Sequence, residues 1–305
     1  MSGRYSVFNS TLHGSGVKAD AFIPAGDVVL QEKPLHFLQT IPNRKSVIVC
    51  GSCLKPLGNI PIQIGALQGV ISRANIVEEF EVSMATSAIS DYCCRVVPCP
   101  CNCGEMYCSE ACRDIHWSVQ GHRLLCTGHI TDEEAEFHPL IAYKIHAMSS
   151  NEIFLMAADV FAAIVCQLDH LITNGVELAQ AFDIANKPLA GYVRELWWDA
   201  AITPKGYKPL AFKKSLKSLI KDTWELLDEA LQLESKGYTS FLSEEYLSRT
   251  IGMFEQNNVG VQMKTPLSEY VEKIVAPDTT ADTVTTAYVL EASQRILDNI
   301  DGQFI

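Results

Sequence analysis

Between Cys99 and Cys126 the chain reads Cys99-x3-Cys103-x4-Cys108-x3-Cys112-x9-His122-x3-Cys126, and a further pair, Cys50-x2-Cys53, stands upstream. Thiolates a few residues apart reach adjacent corners of one tetrahedron, so short-spaced pairs ending in a His and a Cys are zinc-ligand spacing. Eight ligands in four pairs make two sites. Pairs spaced this way bind in interleaved fashion, which assigns Cys50, Cys53, Cys108 and Cys112 to one Zn2+ and Cys99, Cys103, His122 and Cys126 to a second. The chain between them becomes a stapled lobe. Cys101 lies between Cys99 and Cys103, and spacing alone does not decide which of these thiols is used.

The competing reading is a set of disulfides or buried thiols. The opening Met1-Ser-Gly-Arg-Tyr-Ser is followed by no long apolar run, which points to a reducing compartment, nucleus or cytoplasm, and away from secretion. Vicinal Cys93 and Cys94 read as spare or structural thiols. Cys166 lies in the apolar run Ile153 to Leu168 and reads as a small core residue. That run contains Asp159 and is 16 residues long, which suits a buried amphipathic helix and not a membrane span.

The formal charge of -12 is unevenly placed. Residues 1–126 hold 10 Lys+Arg and 10 Asp+Glu, so the remaining residues carry 14 against 26. Seven ionised thiolates and two Zn2+ add to the excess. Such a chain has no electrostatic footprint for a phosphate backbone, so the expectation is no direct nucleic-acid contact. An acidic half suits a basic partner such as a Lys/Arg-rich tail.

Along the chain, Val17 to Ile23, Val28 to Leu30 and Leu35 to Leu38 read as strands around a turn at Pro24-Ala-Gly-Asp27. Gly14-x-Gly16-x-x-Ala19 has the form of a dinucleotide fingerprint, but Pro24 and Gly26 follow where a helix should open, which rejects it. Residues 54–98 read as loop-like to mixed. After Cys126 the period becomes helical. Ser149-x-x-Glu152 is a capping box ahead of a helix bearing Ile153, Phe154, Ala157, Phe161 and Ile164. Leu216, Leu219, Ile220, Leu227 and Leu231 mark a second helix, a third follows Ser243 towards Phe254, and a fourth is expected over residues 283–300.

With these pieces in order the chain resembles the SET-and-MYND (SMYD-type) lysine methyltransferases, most closely their plant trithorax-related branch. The match rests on His13-Gly14-Ser15-Gly16-Val17-Lys18-Ala19 with Ile23-Pro-Ala-Gly-Asp, on the finger from Cys103 through Cys126, and on Ile251-Gly-Met-Phe-Glu-Gln-Asn-Asn. The resemblance implies an α+β fold: a β-rich SET part over residues 1–48, a MYND-type zinc finger over 49–127, a helical insertion over 128–245, and the start of the core SET domain over 246–305. It also implies S-adenosylmethionine as cofactor, bordered by His13, Gly14, Ser15 and Gly16 and held by Gln256 and Asn257. Basic protein tails such as histones are the implied substrates, and proline-containing peptides the implied partners of the finger. No membrane partner is implied. The Asn-His-Ser-Cys, Gly-Glu-Glu, lysine-orienting Tyr and cysteine-cluster segments of active members do not occur in the 305 residues. No catalytic residue is therefore assigned, and the expectation is an inactive polypeptide. The alternative is a zinc-dependent interaction module.

Overall fold

A computed structural model describes residues 4–10, 14–86, 92–263 and 265–275. The fourth expected helix, over 283–300, lies outside them. The chain divides into two units, Met1–Phe37 and Leu38–Ile305.

In the first unit β1 (Tyr5–Ser10) pairs antiparallel with β2 (Gly14–Ala19), in a register running from Tyr5 opposite Ala19 to Ser10 opposite Gly14. Ser6 Oγ donates to the Asp20 carboxylate at 2.9 Å, and Arg4 pairs with Asp27. The turn at 24–27 forms as expected: the Asp27 N–H donates to the Pro24 carbonyl at 3.2 Å, and Gly26 takes a φ of 92°. Such a φ is open to glycine because it has no Cβ. The strands expected at 28–30 and 35–38 are absent, and Val28, Val29 and Leu30 are exposed. A strand needs a neighbour for its N–H and C=O groups, and none is paired to these segments among the described residues. Among the described residues the strands of the expected β-rich part are those of a single hairpin.

The second unit opens with α1 (Ile41–Ser46) and an isolated bridge between Val49 and Pro56. β3 (Gly58–Asn59) leads into α2 (Ile60–Leu67) and α3 (Ile76–Thr86), and pairs with β4 (Cys93–Cys94). Residues 54–98, read from sequence as loop-like to mixed, hold two helices. Asn59 starts α2: its side chain accepts from the Ile62 N–H at 3.2 Å and its amide donates to Ser83 Oγ of α3 at 2.9 Å, both groups buried. β5 (Val97–Pro98) and β6 (Met106–Tyr107) form a second short hairpin, followed by α4 (Glu110–Ser118) and α5 (His122–Leu125). Ile48, Leu57, Ile62, Ile76, Val97 and Tyr107 belong to a core of this lobe's own.

The helical body follows: α6 (Asp132–Glu136), α7 (Pro139–Ser150), α8 (Ile153–Thr173), α9 (Leu178–Asn186), α10 (Trp197–Ala200), α11 (Pro209–Leu231) and α12 (Glu244–Asn257). At 21 residues α8 outruns the 16 expected, and by length and composition alone it is apolar enough to cross a bilayer. Here it is the centre of the core, with Phe154, Val160, Phe161, Val165 and Leu168 wholly buried. α7, α9, α11 and α12 pack around it. α13 (Pro266–Val275) then returns to the lobe, where Leu267 and Val271 bury against Ile60 of α2.

The capping box expected at Ser149 and Glu152 does not form, because α7 continues through Ser150. Ser149 Oγ donates back to the His146 carbonyl, Asn151 accepts from the Ile153 N–H, and Glu152 accepts from the distant Ile41 N–H at 3.2 Å. The capping box that does form is Thr131 with Glu134, at the start of α6.

Candidate metal centres

Each ligand pair is delivered by a tight local turn. Cys50 and Cys53 lie on a knuckle closed by Cys50 N–H to Lys55 O and Leu54 N–H to Cys50 O, both 2.9 Å, with Leu54 at a φ of 61°. Ser109 starts α4 by accepting the Cys112 N–H at 3.1 Å, so Cys108 precedes the helix and Cys112 sits in its first turn. Cys99 follows β5, and its N–H donates to the Glu105 carbonyl at 2.9 Å; Asn102 and Gly104 take φ values of 56° and 90° to turn the chain through Cys103. His122 opens α5 and Cys126 closes it.

Together these turns bring Cys50, Cys53, Cys108 and Cys112 into one cluster and Cys99, Cys103, His122 and Cys126 into another, the donor atoms of each lying within 4.8 Å of one another. These are the two interleaved sets read from the spacing. Cys101 belongs to neither; it is exposed, beside Gly128.

The donor separations test whether zinc fits. Zn–S bonds of about 2.3 Å at tetrahedral angles set sulfurs about 3.8 Å apart, and a Zn–N bond of about 2.0 Å sets sulfur and nitrogen about 3.5 Å apart. Cys53 to Cys108, Cys108 to Cys112 and Cys99 to Cys126 span 3.6, 3.5 and 3.7 Å, and His122 Nε2 lies 3.3 Å from Cys103 and 3.5 Å from Cys99. Such values are edges of a zinc tetrahedron. With four protein donors each, both sets are of the closed, structural kind and leave no position for a reacting water.

Electrostatics point the same way. In the absence of a cation burial raises Cys103 to about 11, Cys53 and Cys126 further still, and Cys108 in the same direction, while hydrogen bonds from Ser109 and Cys108 outweigh burial and lower Cys112. The four raised thiols resist ionising until a divalent cation is there to receive them. Burial also lowers His122 to about 4, which leaves its imidazole neutral and able to ligate.

Around the second cluster stands a shell of charge. Burial opposes ionisation of Glu105, but Arg44 and Arg73 outweigh it and hold the carboxyl at about 2. The Arg44–Glu105 contact is direct, and Arg73 lies 3.6 Å from the other oxygen. Tyr107 Oη pairs with His116 Nδ1 at 3.0 Å, and the His116 ring stacks on His122 at 4.7 Å. Sequence reasoning missed Arg44, Arg73, Glu105 and His116. The available signal was Glu105 itself, an acid enclosed between ligand cysteines.

Over 316 residues the chain is 28% identical to the histone-lysine N-methyltransferase ATXR2 of Arabidopsis thaliana, a match covering 87% of this chain and 66% of that protein. The chain thus spans just under two thirds of the length of the relative it matches. No family model matches it, and no solved structure does.

The implied cofactor residues have a different standing. His13 lies outside the described residues. Gly14, Ser15 and Gly16 run along β2, where a Cβ on Gly16 would meet the Phe8 ring at 2.9 Å. Gln256 and Asn257 end α12, and the Asn257 amide donates to Met253 O at 2.8 Å and Val193 O at 3.2 Å. Asn258 closes the helix in extended backbone, φ -78°, not in the left-handed conformation that Asn tolerates there. Cys166 is buried in the core of α8, and Cys93 Sγ lies 3.5 Å from Met84 Sδ, so neither joins a metal cluster.

Proposed function

We propose that this chain belongs to the SET-and-MYND protein-lysine N-methyltransferase lineage, with two structural Zn2+ in its MYND-type lobe and basic protein tails such as histones as the substrate class. The similarity to a plant histone-lysine N-methyltransferase along 87% of the chain carries the reading. The order of parts agrees with it: hairpin, two-cluster lobe, helical body. When bound, S-adenosylmethionine supplies the electrophilic methyl group. Transfer then requires a neutral lysine amine aligned in line with it, and that alignment supplies much of the rate.

The segments that perform the alignment in active members are not in the 305 residues. The chain alone is therefore proposed to bind S-adenosylmethionine weakly and to transfer no methyl group. Two absent hydrogen-bonded walls, at about 1 to 3 kcal/mol each, lower affinity by roughly two to four decades. Metal analysis, calorimetry with S-adenosylmethionine, and a labelled-methyl assay on histones test this on the purified chain. The expected outcome is two zinc ions, weak binding and no transfer. Tight stoichiometric binding with turnover would overturn the inactivity, and a chain without zinc would overturn the lineage.

A second reading, an interaction module for proline-containing peptides, is favoured by the lobe having a core of its own. Peptide binding abolished by a chelator, with no response to S-adenosylmethionine, would select it.

A further inference from the structure

The charge of this acidic chain is segregated along α11 against the direction that a helix favours. Residues 205–221 hold six lysines and no acid, while residues 222–235 hold five acids and no Lys or Arg. A helix dipole favours anions at the N-terminus and cations at the C-terminus, so local stability does not account for the arrangement. At 3.6 residues per turn, Lys213, Lys214, Lys217 and Lys221 fall within an arc of about 100° and span roughly 12 Å of the axis. The arc lies beside the stripe of Leu216, Ile220 and Leu227 that faces the core.

Neighbouring groups hold part of this face in place. Lys217 lies over the Trp198 ring at 4.8 Å and Lys213 Nζ pairs with Asp199 at 2.8 Å, both from α10. Lys221 makes a long, exposed contact of 3.9 Å with Glu225. Lys214 is exposed and has no ion-pair partner among the described residues.

We infer that this face docks on the phosphate backbone of duplex DNA. The whole-chain charge of -12 argues otherwise only at long range, since charges more than about a Debye length away, roughly 10 Å at 0.1 M salt, are screened. Within that distance Lys213, Lys214, Lys217 and Lys221 stand against Asp199, Asp222 and Glu225, which leaves a small local excess of positive charge with Lys214 and Lys217 not ion-paired among the described residues. Lysines without arginine are point charges for phosphate and read no base edge, so the contact is independent of sequence. A bilayer is the poorer fit, because a membrane-lying helix turns a broad apolar face outward, and within this arc the lysine half of the helix has only Leu210 as an exposed apolar residue. The inference stands on α11 alone and does not require methyl transfer.

The test is binding of the zinc-loaded full chain to a labelled duplex of about 20 base pairs between 50 and 200 mM salt. Three neutralised phosphates give a log-log slope near -2.7, a loss of about 40-fold across that range. The variant Lys214→Gln/Lys217→Gln/Lys221→Gln should lose most of that slope. Lys18→Gln/Lys33→Gln/Lys187→Gln, with the same net charge at other exposed positions, should keep it. If the first triple variant loses its zinc or its cooperative melt, Lys214→Gln alone should still flatten the slope by about 0.9. Equal slopes in wild type and variants, no binding at 50 mM salt, equal loss in the control triple, or stronger binding to phosphatidylserine vesicles or to polyglutamate than to DNA would each overturn the inference.

Discussion

Gly252 illustrates how little room single residues have. It lies on α12 where an added Cβ would sit 2.0 Å from the Glu195 carbonyl oxygen and 3.2 Å from the Trp197 nitrogen, both backbone. Backbone cannot rotate aside, so Gly252→Ala should cost about 3 kcal/mol, read as a lower denaturant midpoint at unchanged slope. Asp159 makes a second case. Burial, reinforced by Glu105, raises its carboxyl to about 7, while Arg44 and Lys144 pull the other way. The unfolded chain releases this proton near pH 4 and the folded chain only near 7, so the folded state binds more protons in between and stability falls as pH rises across that window. The side chain keeps some exposure, which limits the effect to about 2 kcal/mol. Asp159→Asn should stabilise the protein by that order at pH 8 and flatten its stability between pH 4 and 7. A variant with the wild-type pH dependence would place the titration elsewhere.

At the scale of elements, α8 reaches the lobe and the loop after α11 through Asp169. It accepts from Arg123 at 2.7 Å and Tyr238 at 2.8 Å, with Lys236 at 3.4 Å. α5 is brought against α8 by Gly121, whose φ of 91° and 2.6 Å clearance to the Ala162 backbone admit no side chain. α13 is held more lightly, with Leu267 and Val271 as its buried anchors. Leu267→Ala should therefore release α13 while the rest stays folded. The expected readout is faster proteolytic cleavage within residues 266–275 with the main thermal transition moved by no more than a few degrees. A large fall in that transition would show that α13 supports α2 and the lobe core.

For the whole molecule the decisive term is metal. The lobe has a modest core built around its ligand cysteines, and structural zinc contributes about 10 to 16 kcal/mol of apparent folding energy per site at neutral pH. The helical body has a separate, larger core that contains none of the eight candidate ligands and takes in Leu124 and Leu125 of α5. Chelation should thus unfold the lobe and leave α7 to α12 helical, giving two separated transitions by circular dichroism and two equivalents of released zinc. Complete loss of helix on chelation would mean that the two cores fold as one.

Much of this was legible in advance because it is local. Short cysteine spacings force donors into reach of one another, so the two metal sets could be assigned without coordinates, and so could α11 and α12, whose apolar positions recur at helical spacing. Only tertiary structure separated Cys101 from Cys99 and Cys103, because that choice depends on where Gly104 and the Asn102 turn aim each thiol. Pairing across distance was equally hidden: Glu105 is held by Arg44 and Arg73, Asn59 reaches Ser83 between α2 and α3, and Glu152 abandons its expected cap for Ile41. Periodicity reports which face of a segment is apolar. It is silent on which segment covers that face, and a strand such as Val28 to Leu30, with no neighbour to take its hydrogen bonds, stays extended chain whatever its side chains prefer.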